Sequence, residues 1–242
     1  MDYHNHQIAE IYDAANSLES DGEFYLSLAG PRPHSVLDLG CGTGTLCCAF
    51  AEHGHHVTGV DPAAAMLAVA KRKRHADKVE WVEAQAQDFR SPRRFDLIIM
   101  TGHAFQVLLT DSDALAVLET MRRHLNQQGR VVFESRNPGL DWANEWSERQ
   151  HSIHLPSGEE FLERLEIIES GAEFISFRTS YRSPSMTLST SSTLRFPARQ
   201  HVVDLIARSG LIVRDIFGDW NGGPFDTTRS REMIFVAEIA HE

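Results

Sequence analysis

Three glycines at alternate positions, Gly40, Gly42 and Gly44, follow the short apolar run Ser35-Val36-Leu37-Asp38-Leu39. A carboxylate, Asp61, stands 17 residues beyond the last of them. Glycines after a strand let the backbone approach a ligand, and the helix that follows offers N–H groups with no intrahelical partner. A carboxylate at the end of a second strand accepts hydrogen bonds from a ribose diol. Two cofactors use that combination, NAD and S-adenosylmethionine, and Asp61 does not separate them. The loop does: a dinucleotide site needs Gly-x-Gly-x-x-Gly, and position 45 is Thr45. Asp38, just before the loop, would repel a pyrophosphate and attract a methionyl ammonium.

A loop of this kind has to be held by a strand–loop–helix–strand unit, and the surrounding residues supply one. Thr45–Glu52 reads as a helix, His56–Val60 as a second strand, and Pro62–Lys73 as a second helix rich in Ala, Met and Leu. Val79–Val82 and Phe95–Met100 follow as strands, the latter a continuous apolar run suited to a buried parallel sheet. Asp111–His124 is amphipathic, with Asp111 or Ser112 placed to cap it, and Arg130–Glu134 is a fifth strand. After Pro138 the alternation breaks. Residues 139–157 read as irregular, and Phe161–Ile168, Glu173–Arg182 and Ser185–Phe196 read as three antiparallel strands separated by Gly171 and Pro184. Arg199–Ser209 returns to helix, and Leu211–Phe217 and Glu232–Ile239 are the last strands. The expected fold is α/β: a doubly wound, Rossmann-like, seven-stranded and mostly parallel sheet with an inserted antiparallel β cap. Residues 1–138 and 198–242 form its main domain and 139–197 the cap.

Val36 to Gly44 as a whole, with Gly59-Val60-Asp61-Pro62 and then Met66 and Leu67, resembles the first two motifs of the class I S-adenosylmethionine-dependent methyltransferases. The resemblance runs over about residues 10–138 and, less specifically, 198–240. It implies S-adenosylmethionine as cofactor, with contacts from Asp38, Gly40, Cys41, Gly42, Gly44, Asp61, Pro62 and Met66, and from Thr101 at the end of the fourth strand. The sequence departs from the family after the third strand. The usual acid before Ala, which accepts from the adenine amino group, is Gln85 here. Its amide oxygen can still accept that bond, Ala86 N–H can donate to the ring, and Phe89 can wall the adenine.

The acceptor is less legible. A sulfonium methyl is already activated, so the protein must align a nucleophile, exclude water and, for some acceptors, remove a proton. In open α/β sheets that chemistry lies outside the carboxyl ends of the strands. The fourth strand there runs into Thr101-Gly102-His103-Ala104-Phe105-Gln106. The Asp/Asn-Pro-Pro-Tyr/Phe motif of nucleic-acid amino methyltransferases is absent from that point. His103 is the candidate general base or pocket residue, and Phe105 a candidate wall. Tyr12 in the N-terminal segment and Trp220 in the glycine-rich loop after Phe217 are candidate substrate contacts.

Composition narrows the partners. The 242 residues carry 23 Lys and Arg against 34 Asp and Glu, a net charge of −11, which disfavours nucleic acid and anionic membranes. The one basic run, Lys71–Arg74, sits where it complements a helix C-terminus. Cys41, Cys47 and Cys48 have neither disulfide nor zinc spacing. His53, His55 and His56 read as a solvated turn, and no metal is expected. No signal peptide or membrane-length apolar run is visible, and the expected location is cytoplasmic. The reading is methyl transfer to a small molecule at an N, O or C atom. The alternatives are a non-catalytic S-adenosylmethionine sensor or partner subunit, an NAD-dependent oxidoreductase, and a protein or tRNA methyltransferase.

Overall fold

The computed structural model describes residues 4–16, 18, 20–147 and 149–240. Two helices come first, α1 (His6–Ala15) and α2 (Ser20–Ala29). Asn5 caps α1, its side-chain oxygen accepting from the N–H groups of Gln7 and Ile8. Then β1 (Ser35–Leu39), α3 (Thr45–Glu52), β2 (His56–Asp61), α4 (Ala64–Ala70), β3 (Val79–Glu83) and β4 (Phe95–Met100) alternate as expected. They are followed by α5 (Asp111–His124) and β5 (Leu125–Arg136). α4 is shorter than the helix read from the sequence. Ala63 is still extended, and the carbonyls of Val69 and Ala70 are taken by Arg72 and Lys73 in a closing turn. α5 is capped from Thr110, whose hydroxyl accepts from Asp113 N–H, and not from Asp111 or Ser112.

These strands join β10 (Leu211–Phe217) and β11 (Glu232–Ile239) in a seven-stranded sheet of order β10-β11-β5-β4-β1-β2-β3. Only β11 runs against its neighbours. From β1 the chain winds outward one way through β2 and β3, then crosses to β4 and β5 on the other side. The carboxyl ends of β1 and β4 thus flank the topological switch, where open α/β sheets bind ligands. Side-chain alternation sends Leu37, Ile98, Val131 and Phe235 to a core closed by α5 and by α7 (Arg199–Arg208). Val36, Leu97, Ile99 and Val132 go to the opposite core under α2 and α3.

Between β5 and α7 lie a short helix, α6 (Trp142–Trp146), and a second sheet of order β6-β7-β8-β9. Its strands are β6 (Gln150–His154), β7 (Glu160–Ser170), β8 (Phe174–Arg182) and β9 (Thr187–Arg195), all antiparallel. The sequence reading found three of these four strands. It read β6 and α6 as irregular, because five residues are too few to show a period. One face of the sheet is apolar: Ile175 and Phe177 pack on Trp142, Trp146 and Phe196, while Ile153, Phe161 and Tyr181 pack on Ile11 of α1.

The basic run after α4 has a second role. Arg72 pairs with Glu10 and Lys73 with Asp13, which pins α1 against α4. His55 is buried, not solvated; it packs against Phe50, and its Nδ1 accepts from His34 N–H at 3.2 Å. Among the described residues no helix is long and apolar enough to cross a membrane.

Candidate functional site

The turn after β1 is built by exchange with β2. Gly40 and Cys41 N–H both donate to Val60 O, at 2.7 and 3.0 Å. Gly42 N–H donates to Asp61 Oδ2 at 2.9 Å, and Ala63 N–H to Asp61 Oδ1 at 2.8 Å. A carboxylate has about four acceptor positions, so Asp61 orders the loop with two and keeps two for a ligand. Burial pushes its pKa up, opposed by the Ala63 and Gly42 N–H groups. Gly44 caps α3 at φ +71°, where a Cβ would stand 2.3 Å from Trp81 Cη2 and 2.9 Å from Ala70 Cβ. Gly42 is at φ +53°, but its Cβ would meet only Tyr12 Cε1 at 3.8 Å, so its constraint lies in the backbone.

Asp38, at the end of β1, is 1% exposed. Its Oδ2 accepts weakly from Cys47 Sγ at 3.3 Å, and its Oδ1 has no hydrogen-bond partner among the described residues. Burial pushes the Asp38 pKa up to about 7, against the smaller opposing effect of Cys47. A buried carboxylate oxygen without a donor is costly to leave so. Asp38 lines a cavity of about 360 Å³, within the roughly 300–1,000 Å³ of small-ligand sites. A ligand that brings a cationic N–H into this cavity completes Asp38.

The far wall of the cavity is the turn after β4, with Thr101, Gly102 and His103. Gly102 and His103 are both left-handed, at φ +64° and +60°. That conformation is uncommon for a residue with a Cβ. Here it is held by Glu134, whose Oε1 accepts from His103 N–H at 2.6 Å. Glu134 is 1% exposed, burial raises its pKa, and its other oxygen accepts from the Tyr25 hydroxyl of α2. The His103 imidazole is paired with Glu232 at the start of β11, Nε2 to Oε2 at 2.9 Å. Tyr12 and Asp21 line the cavity from α1 and α2, and Trp220 from the loop after β10, its ring 5.9 Å from that of Tyr25. Burial, with the charges of Asp61 and Asp38, raises Tyr12 to about 12.

The structure thus brings Asp38, Cys41, Thr101, His103, Tyr12 and Trp220 to one cavity, with Asp61 and the glycines ordering its floor. Three candidates face elsewhere. Phe105 is stacked on Phe133 at 4.4 Å in the main core, so it is not a pocket wall. Phe89 is buried against Phe95 and His124. Met66 packs with Ala9 and Ala65 where α4 meets α1. Pro62 is half-buried after Asp61, Gln85 is exposed, and Ala86 is half-buried at the edge of the core. Glu134, Glu232, Tyr25 and Asp21 were missed. The only signal for the first two was a carboxylate abutting an apolar strand run, at Val131-Val132-Phe133-Glu134 and at Glu232-Met233-Ile234.

The family described as Methyltransferase domain matches residues 36–129, which span β1 to the middle of β5. Over 241 residues the chain is 29% identical to a cypemycin N-terminal methyltransferase from Streptomyces sp, covering 95% of this chain and 94% of that one. The fold superposes on the CcbJ methyltransferase of Streptomyces caelestis with a TM-score of 0.79 at 20% identity, covering 97% and 96% of the two chains. The matched domain, the relatives and the shared fold support a class I S-adenosylmethionine-dependent methyltransferase. CalS10, an amino pentose methyltransferase from Micromonospora echinaspora, was solved with S-adenosylmethionine bound. It matches this methyltransferase with a TM-score of 0.68 at 21% identity, over 95% of this chain and 94% of that one. The orphaned oxygen of Asp38 and the free acceptor positions of Asp61 fit that cofactor's ammonium and ribose diol.

Proposed function

We propose that this methyltransferase transfers the methyl group to an amine nitrogen of a small molecule, with residues 139–197 closing over the acceptor. The observation that carries the reading is the His103–Glu232 pair on the cavity wall, next to the carboxylates Asp21 and Asp38. Such a wall attracts a cationic amine and can then take its proton. Two similar proteins point the same way, the cypemycin N-terminal methyltransferase and the amino pentose methyltransferase CalS10.

S-adenosylmethionine, when bound, supplies a methyl group on a sulfonium, which is already a good leaving group. Asp38 holds the methionyl ammonium, Asp61 the ribose diol, and the backbone of Gly40, Cys41, Gly42 and Gly44 lies along the ligand. Thr101 borders the methionyl end, and Gln85 and Ala86 serve the adenine edge. An amine attacks only when unprotonated, and ordinary amines are ammonium ions at neutral pH. With Nε2–H donated to Glu232, His103 Nδ1 keeps its lone pair and accepts the ammonium proton. Glu232 offsets the charge of the imidazolium that results, as a carboxylate does behind a general-base histidine. Glu134 keeps the turn in its left-handed form and so fixes where the imidazole stands. Tyr12 and Trp220 border the acceptor and exclude water. The net charge of −11 and the missing Pro-Pro motif argue against nucleic acid as acceptor.

The test is transfer of labelled methyl from S-adenosylmethionine to paired acceptors. The pairs are short peptides with a free or an acetylated N-terminus, and amino sugars beside the corresponding hydroxyl sugars. Label should enter only the free amines. Label entering the acetylated or hydroxyl members equally well overturns the amine reading.

A further inference from the structure

The cavity is acidic on one side and basic at one point. Among its described lining residues Arg149 is the only Lys or Arg, set against Asp21 and Asp38. Arg149 lies between α6 and β6, where its N–H donates to Trp146 O at 3.1 Å and its carbonyl accepts from Leu165 N–H at 3.2 Å. The backbone is therefore anchored on both sides, while the side chain is exposed. Its cationic neighbours are provided for. Arg231 pairs with Glu145. Arg136 is stacked over Trp142 and Trp146 and bonds Gln106 Oε1 at 2.9 Å. Among the described residues no carboxylate lies in ion-pair range of the Arg149 guanidinium.

Arg149 stands on the acceptor side. Its charge acts on Arg136, which ends β5, and on Glu145 in α6. Asp38 is the penultimate residue of β1, two strands away across β4, and the register sets it opposite Ile99 and then Val132, so Arg136 lies about 9–10 Å across the sheet and a further four residues, about 13 Å, along it. His103 lies in the turn that follows the intervening strand. An acceptor with its amine at His103 thus has Arg149 on the side away from Asp38. A guanidinium fork matches carboxylate and phosphate oxygens, not neutral groups.

We propose that Arg149 binds an anionic group, carboxylate or phosphate, on the acceptor, so that the preferred substrate carries an anion as well as its amine. The inference rests on the amine reading above for the identity of the acceptor. Titration of the enzyme loaded with S-adenosylhomocysteine separates the two. The probes are glucosamine against glucosamine 1-phosphate, and trialanine amide against trialanine. In at least one pair the anionic member should bind tenfold or more tightly than its twin, and the pair that responds tells phosphate from carboxylate. Arg149→Ala should bring that pair to within about twofold, and Arg149→Lys should keep part of the preference, since it retains the charge and loses the fork. No preference in the wild type, weak binding of all four probes included, overturns the proposal; so does a preference that survives in Arg149→Ala. A tenfold loss of S-adenosylhomocysteine affinity in Arg149→Ala also overturns it, because Arg149 would then serve the methionyl carboxylate. Should labelled methyl reach none of the four amines while the anion preference still depends on Arg149, the amine reading fails and the anion site stands.

Discussion

Replacing Asp38 by Asn tests the cofactor site through two opposite effects. Burial raises Asp38 from 3.8 to about 7, and at about 1.4 kcal/mol per unit the ceiling on the cost of ionising it inside the fold is about 4 kcal/mol. The folded-state value lies above the unfolded one. The cost is therefore absent below about pH 4, builds as pH rises from there to about 7, and is complete above that. Asp38→Asn removes the cost. Without ligand, the variant's stability relative to wild type should improve by about 2–3 kcal/mol between pH 5 and pH 8. Ligand binding should behave in reverse. A cationic ammonium stabilises the ionised carboxylate, so wild-type affinity for S-adenosylhomocysteine should rise with pH up to about 7, with a proton released on binding at pH 6. Asp38→Asn should lose about 1.5–3 kcal/mol of that affinity, the size of a hydrogen bond to a charged group, and most of its pH dependence. Urea unfolding at the two pH values, and calorimetry across pH in buffers of different ionisation enthalpy, give these quantities. A variant whose relative stability is the same at pH 5 and pH 8, or a wild type whose affinity is flat with pH, would refute the reasoning.

Asp61→Ala should weaken S-adenosylmethionine binding by about 1.5–3 kcal/mol or more, since it loses the diol and frees Gly42 and Ala63 N–H; unchanged affinity in calorimetry would dissociate Asp61 from the ribose. Gly44→Ala should cost about 2–5 kcal/mol in urea unfolding, the backbone cost of a left-handed residue together with its clash with Trp81 and Ala70. Gly42→Ala should show only the backbone cost of about 1–2 kcal/mol; equal losses at the two glycines would contradict the packing described. Glu232→Gln should lower kcat by about tenfold or more and leave the acceptor KM and S-adenosylhomocysteine affinity unchanged. A change confined to KM would make the His103–Glu232 pair a binding feature.

The glycine loop and Asp61, on the side of the cavity proposed for the cofactor, were readable in the sequence because local chain geometry dictates them. A loop between a strand and a helix must turn within a few residues, so Gly40, Gly42 and Gly44 have to sit where they do, and Asp61 has to close the next strand. Contiguous apolar runs and helical periods were enough to place β1 to β5 and α5 for the same reason. The exceptions were short: α6 and β6 are five residues each, and Thr110 took the cap because its backbone, not that of Asp111, is extended. The side of the cavity proposed for the acceptor came from contacts between distant residues. His103 meets Glu232 across 129 positions, and Tyr25 meets Glu134 across 109. Which carboxylates reach His103 depends on β11 being inserted between β5 and β10, a choice of sheet order that no local pattern records. The same limit explains Phe105 and Phe89. An aromatic residue just past a strand reads alike whether it lines a pocket or fills a core, and the two differ only in which face of the turn the packed elements leave open. Arg149 enters the site because the second sheet packs back on α1 and α6, and that packing is decided by Ile11, Phe161, Trp146 and Phe177 meeting in three dimensions.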